Sequence, residues 1–175
     1  DQLAQIVISQ KYGGDSGTDN AFFHGGGKRI LKAIFECCIK LLKDRPDLAT
    51  MHTAYELLSL LMYKRVETAG YILAHVSERT AVEFKGAIGG NPKGVNDKIS
   101  TAQEAMEFFS NPVVAQLTCR NDISFEEMRE QRVFLCFQIK EGKQLERYAP
   151  LLNIFYSFLF NSVLSLPEKE AAKKL

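Results

Sequence analysis

The pattern of apolar and polar positions divides the chain into a long helical stretch and a short, very apolar final third. Asp1–Ile8 has apolar residues at 3, 6 and 7, a weak helical signal. Lys11–Asn20 has the glycine-rich, polar composition of a loop. From Ala21 to Lys43 the residues Phe23, Ile30, Ala33, Ile34, Cys37, Cys38 and Leu41 recur at helical spacing and predict the buried side of a long helix. Lys28, Arg29, Lys32, Glu36 and Lys40 fall largely on the other side. Pro46 ends this helix, because it disfavours the α conformation at Arg45. A second helix is predicted over Thr50–Tyr63, with Met51, Ala54, Tyr55, Leu57, Leu58, Leu61 and Met62 on its core side. A third runs from Glu67 to Ile88 and carries Ile72, Leu73, Val76 and Phe84. After a turn at Gly89–Gly94, a fourth spans Val95–Phe109, with Ile99, Ala102, Met106 and Phe109 on one side. Asn111-Pro112 opens a short helical segment through Leu117. Ser124 and Glu127 have the spacing of a capping box at the start of another brief helix.

Arg132–Ile139 is a compact apolar run, rich in β-branched and aromatic residues, and reads as a buried strand. Lys140–Lys143 is a polar break. Ala149–Leu164 is apolar nearly all round. Its interruptions, Asn153, Ser157 and Asn161, form one narrow helical stripe. Such a helix needs burial on most of its surface. A strand and its covering helix make half of a βαβ unit, and no run elsewhere in the chain reads as a partner strand. The expected fold is therefore mainly α: a helical bundle followed by a single β-α unit that belongs to a larger α/β domain. The expected divisions are 1–18 (helix and linker), 19–130 (all-α domain) and 131–175 (strand and helix). The charged tail 168–174 reads as a frayed helix end.

Composition narrows the function more than the fold. Apolar residues make up 46% and charged residues 25%, as in soluble globular proteins. A net charge of +1 supplies no global basic field, so bulk charge gives no case for nucleic-acid binding. Cys37, Cys38, Cys119 and Cys136 have no CxxC or Cys/His ligand spacing, and are expected to be buried free thiols. The start at Asp1 shows no charged-then-apolar leader, so no signal peptide is expected. Ala149–Leu166 is the one candidate membrane span, and two asparagines and a proline argue against it.

Individual motifs point away from catalysis. Gly25-Gly-Gly-Lys28 resembles a phosphate loop only in part. Phe22 stands where the first glycine belongs, Arg29 where the magnesium-binding hydroxyl belongs, and no strand precedes it. The glycines read instead as a close approach of a neighbouring backbone. His24, His52 and His75 share no metal-ligand spacing. Glu104, Glu107, Glu126, Glu127 and Glu130 fit solvated helix faces better than an acid/base pair. Phe22, Phe23, Tyr63 and Tyr71 read as core rather than as a base-stacking platform. The residues left for binding are a cationic face, Lys28, Arg29, Lys32, Lys40 and Lys43, and the turn residues Asn91 and Lys93. The ordinary reading of that face is solvation; an acidic partner or DNA phosphate is the functional one. No catalytic, cofactor or metal-binding residue is assigned.

Three stretches carry a family resemblance. They are Asp19–Leu31, with its aromatic pair, small residues and basic residues; Ile99–Ala115, a helix ending in Phe-Phe-Ser-Asn-Pro; and Phe125–Ser165, with its apolar run, Leu-Glu-Arg and Ala-Pro-Leu-Leu. In order and spacing they resemble the TraG/TraD-like coupling proteins of type IV secretion and conjugation. The resemblance implies an all-α domain inserted into a RecA-like nucleotide-binding domain, with the final β-α unit belonging to the latter. It implies a hexameric parent ATPase using ATP and Mg, anchored at the cytosolic side of a bacterial inner membrane. The family's Walker motifs lie outside these residues, so this segment is expected to be no enzyme. The implied role is docking of secretion substrates, relaxosome components or adaptors, with neighbouring ATPase subunits as further partners and only weak DNA contact. The contrasting expectation is a free-standing helical regulator with no ATPase parent.

Overall fold

A computed structural model describes residues 2–13, 18–120, 123, 134–138 and 143–164. The chain falls into two compact units, Asp1–Arg120 and Asn121–Leu175. The first is built from α1 (Gln2–Tyr12), α2 (Thr18–Asp44), α3 (Met51–Tyr63), α4 (Arg65–Ala74), α5 (Glu78–Ile88), α6 (Pro92–Met106) and α7 (Pro112–Leu117). Short 3-10 turns follow α2, at Pro46–Leu48, and α6, at Glu107–Ser110.

The helix α2 is the axis of this unit. It packs most extensively against α6 and also against α1, α3 and α5. The expected stripe holds: Ile30, Ala33, Ile34, Cys37 and Cys38 are buried, joined by Leu31 and Phe35, while Phe23 and Leu41 are half-buried. The facing core comes from Ala4, Val7 and Ile8 of α1, Ala54, Leu58 and Leu61 of α3, Phe84 of α5, and Val95, Ile99, Ala102 and Met106 of α6.

Helix ends follow local chemistry. Thr50 caps α3 by accepting from the Thr53 N–H at 3.1 Å. Asn91 caps α6 and Asn111 caps α7 in the same way, each with proline at the first helical position. The α7 bounds match the expected segment. The α6 bounds do not: the helix begins at Pro92, because the Asn91 cap turns the second half of the expected turn into its first coil. Gly90 has φ +99°, a conformation that only glycine adopts freely, and it reverses the chain between α5 and α6.

The single helix expected over Glu67–Ile88 is two. The chain breaks at His75–Ser77 and restarts as α5. The break seats Val76 in the core. It also presents the Ser77 N–H and hydroxyl to the Glu36 carboxylate of α2. Periodicity alone does not see this, because the restart is stabilised by a side chain some forty positions away.

Gly26 and Gly27 set the α2–α6 crossing. A Cβ at Gly26 would lie 2.6 Å from Cγ and Cδ of Lys98, and one at Gly27 would lie 3.4 Å from backbone atoms of Lys98 and Ala102. The expected close approach is therefore real, and Gly25–Lys28 lies inside a helix rather than in a phosphate loop.

Two expectations about side chains need correcting. Cys37 and Cys38 are buried free thiols, but Cys119 and Cys136 are exposed. Of the four aromatics read as core, only Phe23 is even half-buried. Phe22 is 63% exposed, Tyr63 84% and Tyr71 43%. The physical reason is that Phe22 lies over the buried Lys98 ammonium and Tyr71 against His75, each with much of its ring left to solvent, while Tyr63 is the last residue of α3.

In the second unit, α8 (Lys143–Leu164) begins six residues before the expected start and carries Pro150 within it. No strand occurs among the described residues. The expected buried strand is not seen: residues 134–138 are irregular, and Phe134 is 92% exposed. A strand needs a neighbour to satisfy its N–H and C=O groups, and the described residues offer none. Phe137 rests instead on Phe155 and Tyr156 of α8, at centroid separations of 4.9 and 6.0 Å. Asn153 and Asn161 are exposed, as the polar stripe requires, but so are Tyr156 and Phe160. Among residues 148–162 none is fully buried, so the extensive burial expected of this helix is absent. The capping box at Ser124–Glu127 and the tail 168–174 lie outside the described residues, as do Glu126 and Glu130.

The crossing yields a test. Gly26→Ala should destabilise by about 1–3 kcal/mol, since displacing a buried lysine outweighs a helix-propensity gain of about 1 kcal/mol. Gly25→Ala, with nothing within 4 Å of the added carbon, should stabilise by up to about 1 kcal/mol. Urea unfolding checks both, and the Gly26→Ala penalty should shrink in a Lys98→Ala background.

Candidate functional site

The cationic face of α2 occupies one arc of the helix: at 3.6 residues per turn Lys28, Arg29, Lys32, Lys40 and Lys43 fall within roughly a third of its circumference. The fold divides it. Lys32 donates to Glu83 of α5 at 2.7 Å, and Arg79 reaches the same carboxylate at 3.4 Å. Glu36, on the same arc, binds Ser77 at the start of α5. Pairing of 32 with 83 and of 36 with 77 makes α5 antiparallel to α2, lying along the middle of the arc.

Arg29, Lys40 and Lys43 stay exposed and Lys28 is half-buried. Lys28 and Lys43 are fifteen residues apart, roughly 22 Å along a helix. The antiparallel α5 brings its C-terminal turn level with the Lys28 end. Asn91 and Lys93 thus belong with Lys28 and Arg29, while Lys40 and Lys43 lie at the opposite end. Asn91 is engaged locally: its Oδ1 accepts from the Lys93 N–H at 3.0 Å. The Lys93 side chain is exposed.

Electrostatics along α5 explain why it stays clipped. Burial would push the Glu36 carboxyl up, but hydrogen bonds from Thr80 and from the Ser77 N–H and hydroxyl, with Lys40 nearby, hold it below the ordinary value. The Lys32 hydrogen bond and charge, with help from Arg79, hold Glu83 below the ordinary value too. Glu36 also places a negative charge at the N-terminus of α5, where the helix dipole favours it.

Sequence patterns missed Lys98. It is 7% exposed, in the middle of an otherwise apolar α6 face. Its ammonium donates to the Ala87 carbonyl in the last turn of α5 at 3.1 Å and sits 4.5 Å from the centre of the Phe22 ring. A cation at a helix C-terminus and over an aromatic face is doubly favoured. The sequence shows only its place, one turn from Val95 and Ala102 on the apolar stripe; what makes a lysine tolerable there comes from α2 and α5.

The histidines do not converge. His24 stacks on Tyr12 at 4.3 Å, the His52 Nδ1 meets the Phe109 carbonyl at 3.1 Å, and the His75 Nδ1 meets the Tyr71 carbonyl at 2.8 Å. Glu104 accepts from the Tyr12 hydroxyl at 2.9 Å, and Glu107 is exposed. Among the described residues no group of His, Cys, Asp and Glu is placed to hold a metal ion. No described helix is long and apolar enough to cross a membrane.

With folded pKa values lowered, Glu36 and Glu83 stabilise fully at pH above their ordinary 4.5, and that stability is lost as pH falls below it. Amide protection in α5 should therefore drop below pH 4.5 before that of α3. Hydrogen exchange of wild type and Glu36→Gln checks this, because the variant should lose part of the acid dependence.

A family model described as type IV secretory system conjugative DNA transfer matches residues 48–174, well over half of the chain. The matched span holds Asn91 and Lys93; the cations of α2 precede it. No curated protein matches the chain. No solved structure matches it either.

Proposed function

Because the chain belongs to the type IV secretory system conjugative DNA transfer family, we propose that residues 19–130 are the substrate- and adaptor-receiving all-α domain of a coupling ATPase. Residues 131–175 would then belong to the nucleotide-binding domain of the same parent. ATP, Mg and the Walker motifs reside in that parent, at the cytosolic face of the inner membrane, and this segment only docks partners. What supports the reading most is the family match together with a helical unit that exposes Arg29, Lys40 and Lys43 on α2 and Lys93 at the start of α6.

Docking uses two places along α2. The middle of the helix presents Lys28 and Arg29 beside Lys93, and its C-terminal end presents Lys40 and Lys43. Their spacing of roughly 20 Å suits an elongated acidic surface on a secreted protein, a relaxosome component or an adaptor. DNA phosphate is the weaker fit, because a handful of cations in a chain of net charge +1 supplies few phosphate contacts. A free-standing regulator remains the second reading, favoured by the fact that Asp1–Arg120 closes a core of its own.

Pull-down of secretion substrates and adaptors by the 175-residue chain tests the receiving role. Arg29→Glu, Lys40→Glu and Lys43→Glu together should weaken capture about tenfold or more, from rim charges contributing roughly 0.5–1 kcal/mol each. Capture insensitive to this triple change would refute the surface. ATP turnover by the purified chain, with or without DNA, would refute the division of labour.

A further inference from the structure

A groove of about 360 Å³ opens between the end of α1, the start of α2 and one face of α6, lined by Tyr12, Phe23, His24, Asp97, Ser100, Thr101 and Glu104. Three features of its chemistry coincide. Asp97 and Glu104 lie seven residues apart, two turns along one face of α6. No lysine or arginine among the described residues pairs with either carboxylate. The third is a flat wall: the rings of Tyr12 and His24 stack at 4.3 Å with planes 24° apart.

That wall is held in place. The Tyr12 hydroxyl donates to Glu104 at 2.9 Å and to the Thr101 carbonyl at 3.3 Å. Burial first, and then the hydrogen bond and charge of Glu104, keep the phenol protonated far above its ordinary range. The donor is neutral, so the negative charge of Glu104 remains uncompensated.

Two carboxylates beside a planar aromatic surface complement one common side chain. Guanidinium is planar, stacks on aromatic faces and offers donors in a fork that matches carboxylates. Ammonium lacks the plane. The shape decides the source. A small ligand is held by burying most of its surface, but every lining residue here is half-buried or exposed. Only a side chain whose parent molecule makes its main contacts elsewhere suits so open a groove. We propose that this groove receives an arginine side chain from a protein partner. It is separate from the two cationic groups of α2, so it stands or falls independently of the receiving surface above.

Isotope-labelled 175-residue chain titrated with an acetylated, amidated tetra-arginine peptide tests this by amide shifts. The same peptide with citrulline in place of arginine keeps the shape and removes the charge. Spermidine supplies a free cation with no guanidinium. Saturable shifts at His24, Ser100, Thr101 and Glu104 are expected with the arginine peptide and none with citrulline. Asp97→Asn should weaken the interaction at least tenfold in a chain whose other amides stay in place. Glu104→Gln, which preserves the acceptor for Tyr12, should weaken it as well. Shifts scattered over other carboxylates, or affinity unchanged by both variants, overturn the proposal. Spermidine binding as tightly as the peptide overturns it too, by making the groove a site for free cations.

Discussion

The closeness of α2 and α6 is the constraint on which the helical unit depends. Side chains normally hold packed helices 8–10 Å apart. Gly26 and Gly27 remove two of them, and the stem of Lys98 fills the space that results. Its ammonium cannot be left alone at that depth, because an unpaired buried charge is costly. The Ala87 carbonyl and the Phe22 ring meet it. One crossing thereby fixes three helices: α2 through its glycines, α6 through its lysine, and α5 through its last turn. Glycine inside a helix weakens that helix by about 1 kcal/mol. Here the loss is offset by the long apolar side of α2, where Ile30, Leu31, Ile34 and their neighbours are fully buried.

The far end of α5 is fastened by a different device. Glu36 accepts from the Ser77 N–H and hydroxyl, so a residue of α2 serves as the cap of another helix. Lys32 and Glu83 add a pair one turn nearer the glycine crossing. With α5 held at both ends, the exposed cationic surface of α2 inherits its shape. The cations of α2 form two separated groups rather than one stripe, because the middle of the arc serves folding. Charge counted along a helical wheel overestimates a binding face whenever a neighbouring helix lies over part of it.

This is also where sequence legibility ends. The apolar stripes of α2, α3 and α6 were readable because burial repeats every turn. The Asn111-Pro112 start of α7 was readable because cap and proline are adjacent. The α4–α5 break was not, since its cause, Glu36, is remote in sequence. Lys98 was hidden for the same reason: whether a lysine on an apolar face is tolerated depends on the carbonyl and ring that another part of the fold brings to it. The groove of Tyr12, His24, Asp97 and Glu104 mixes residues from three helices, none of them conspicuous alone. Exposed aromatics misled in the other direction. Phe22 and Tyr71 are apolar by type, yet each lies on a partner with much of its ring left to solvent, so hydrophobicity without a contact map assigned them to the core.

The two units differ in how far their apolar surface is satisfied. In Asp1–Arg120, Ile30, Leu31 and Ile34 of α2, Leu58 and Leu61 of α3, Phe84 of α5, and Ile99 and Met106 of α6 are fully buried. In the second unit Phe137 packs on Phe155 and Tyr156 of α8 and Tyr156 on Phe160, and Phe160 is 59% exposed. An amphipathic surface helix explains its exposure by a polar face. After the charged first turns, Lys143 to Arg147, the rest of this helix has only Asn153, Ser157, Asn161 and Ser162 to offer, too narrow a stripe for a stretch otherwise apolar around its circumference. Nor is it a membrane span by length and hydropathy. A helix with neither a polar face nor a bilayer needs a protein layer against it. The irregular 134–138 segment poses the same question from the backbone side, since an apolar stretch rich in β-branched and aromatic residues becomes a strand only where another strand accepts its hydrogen bonds.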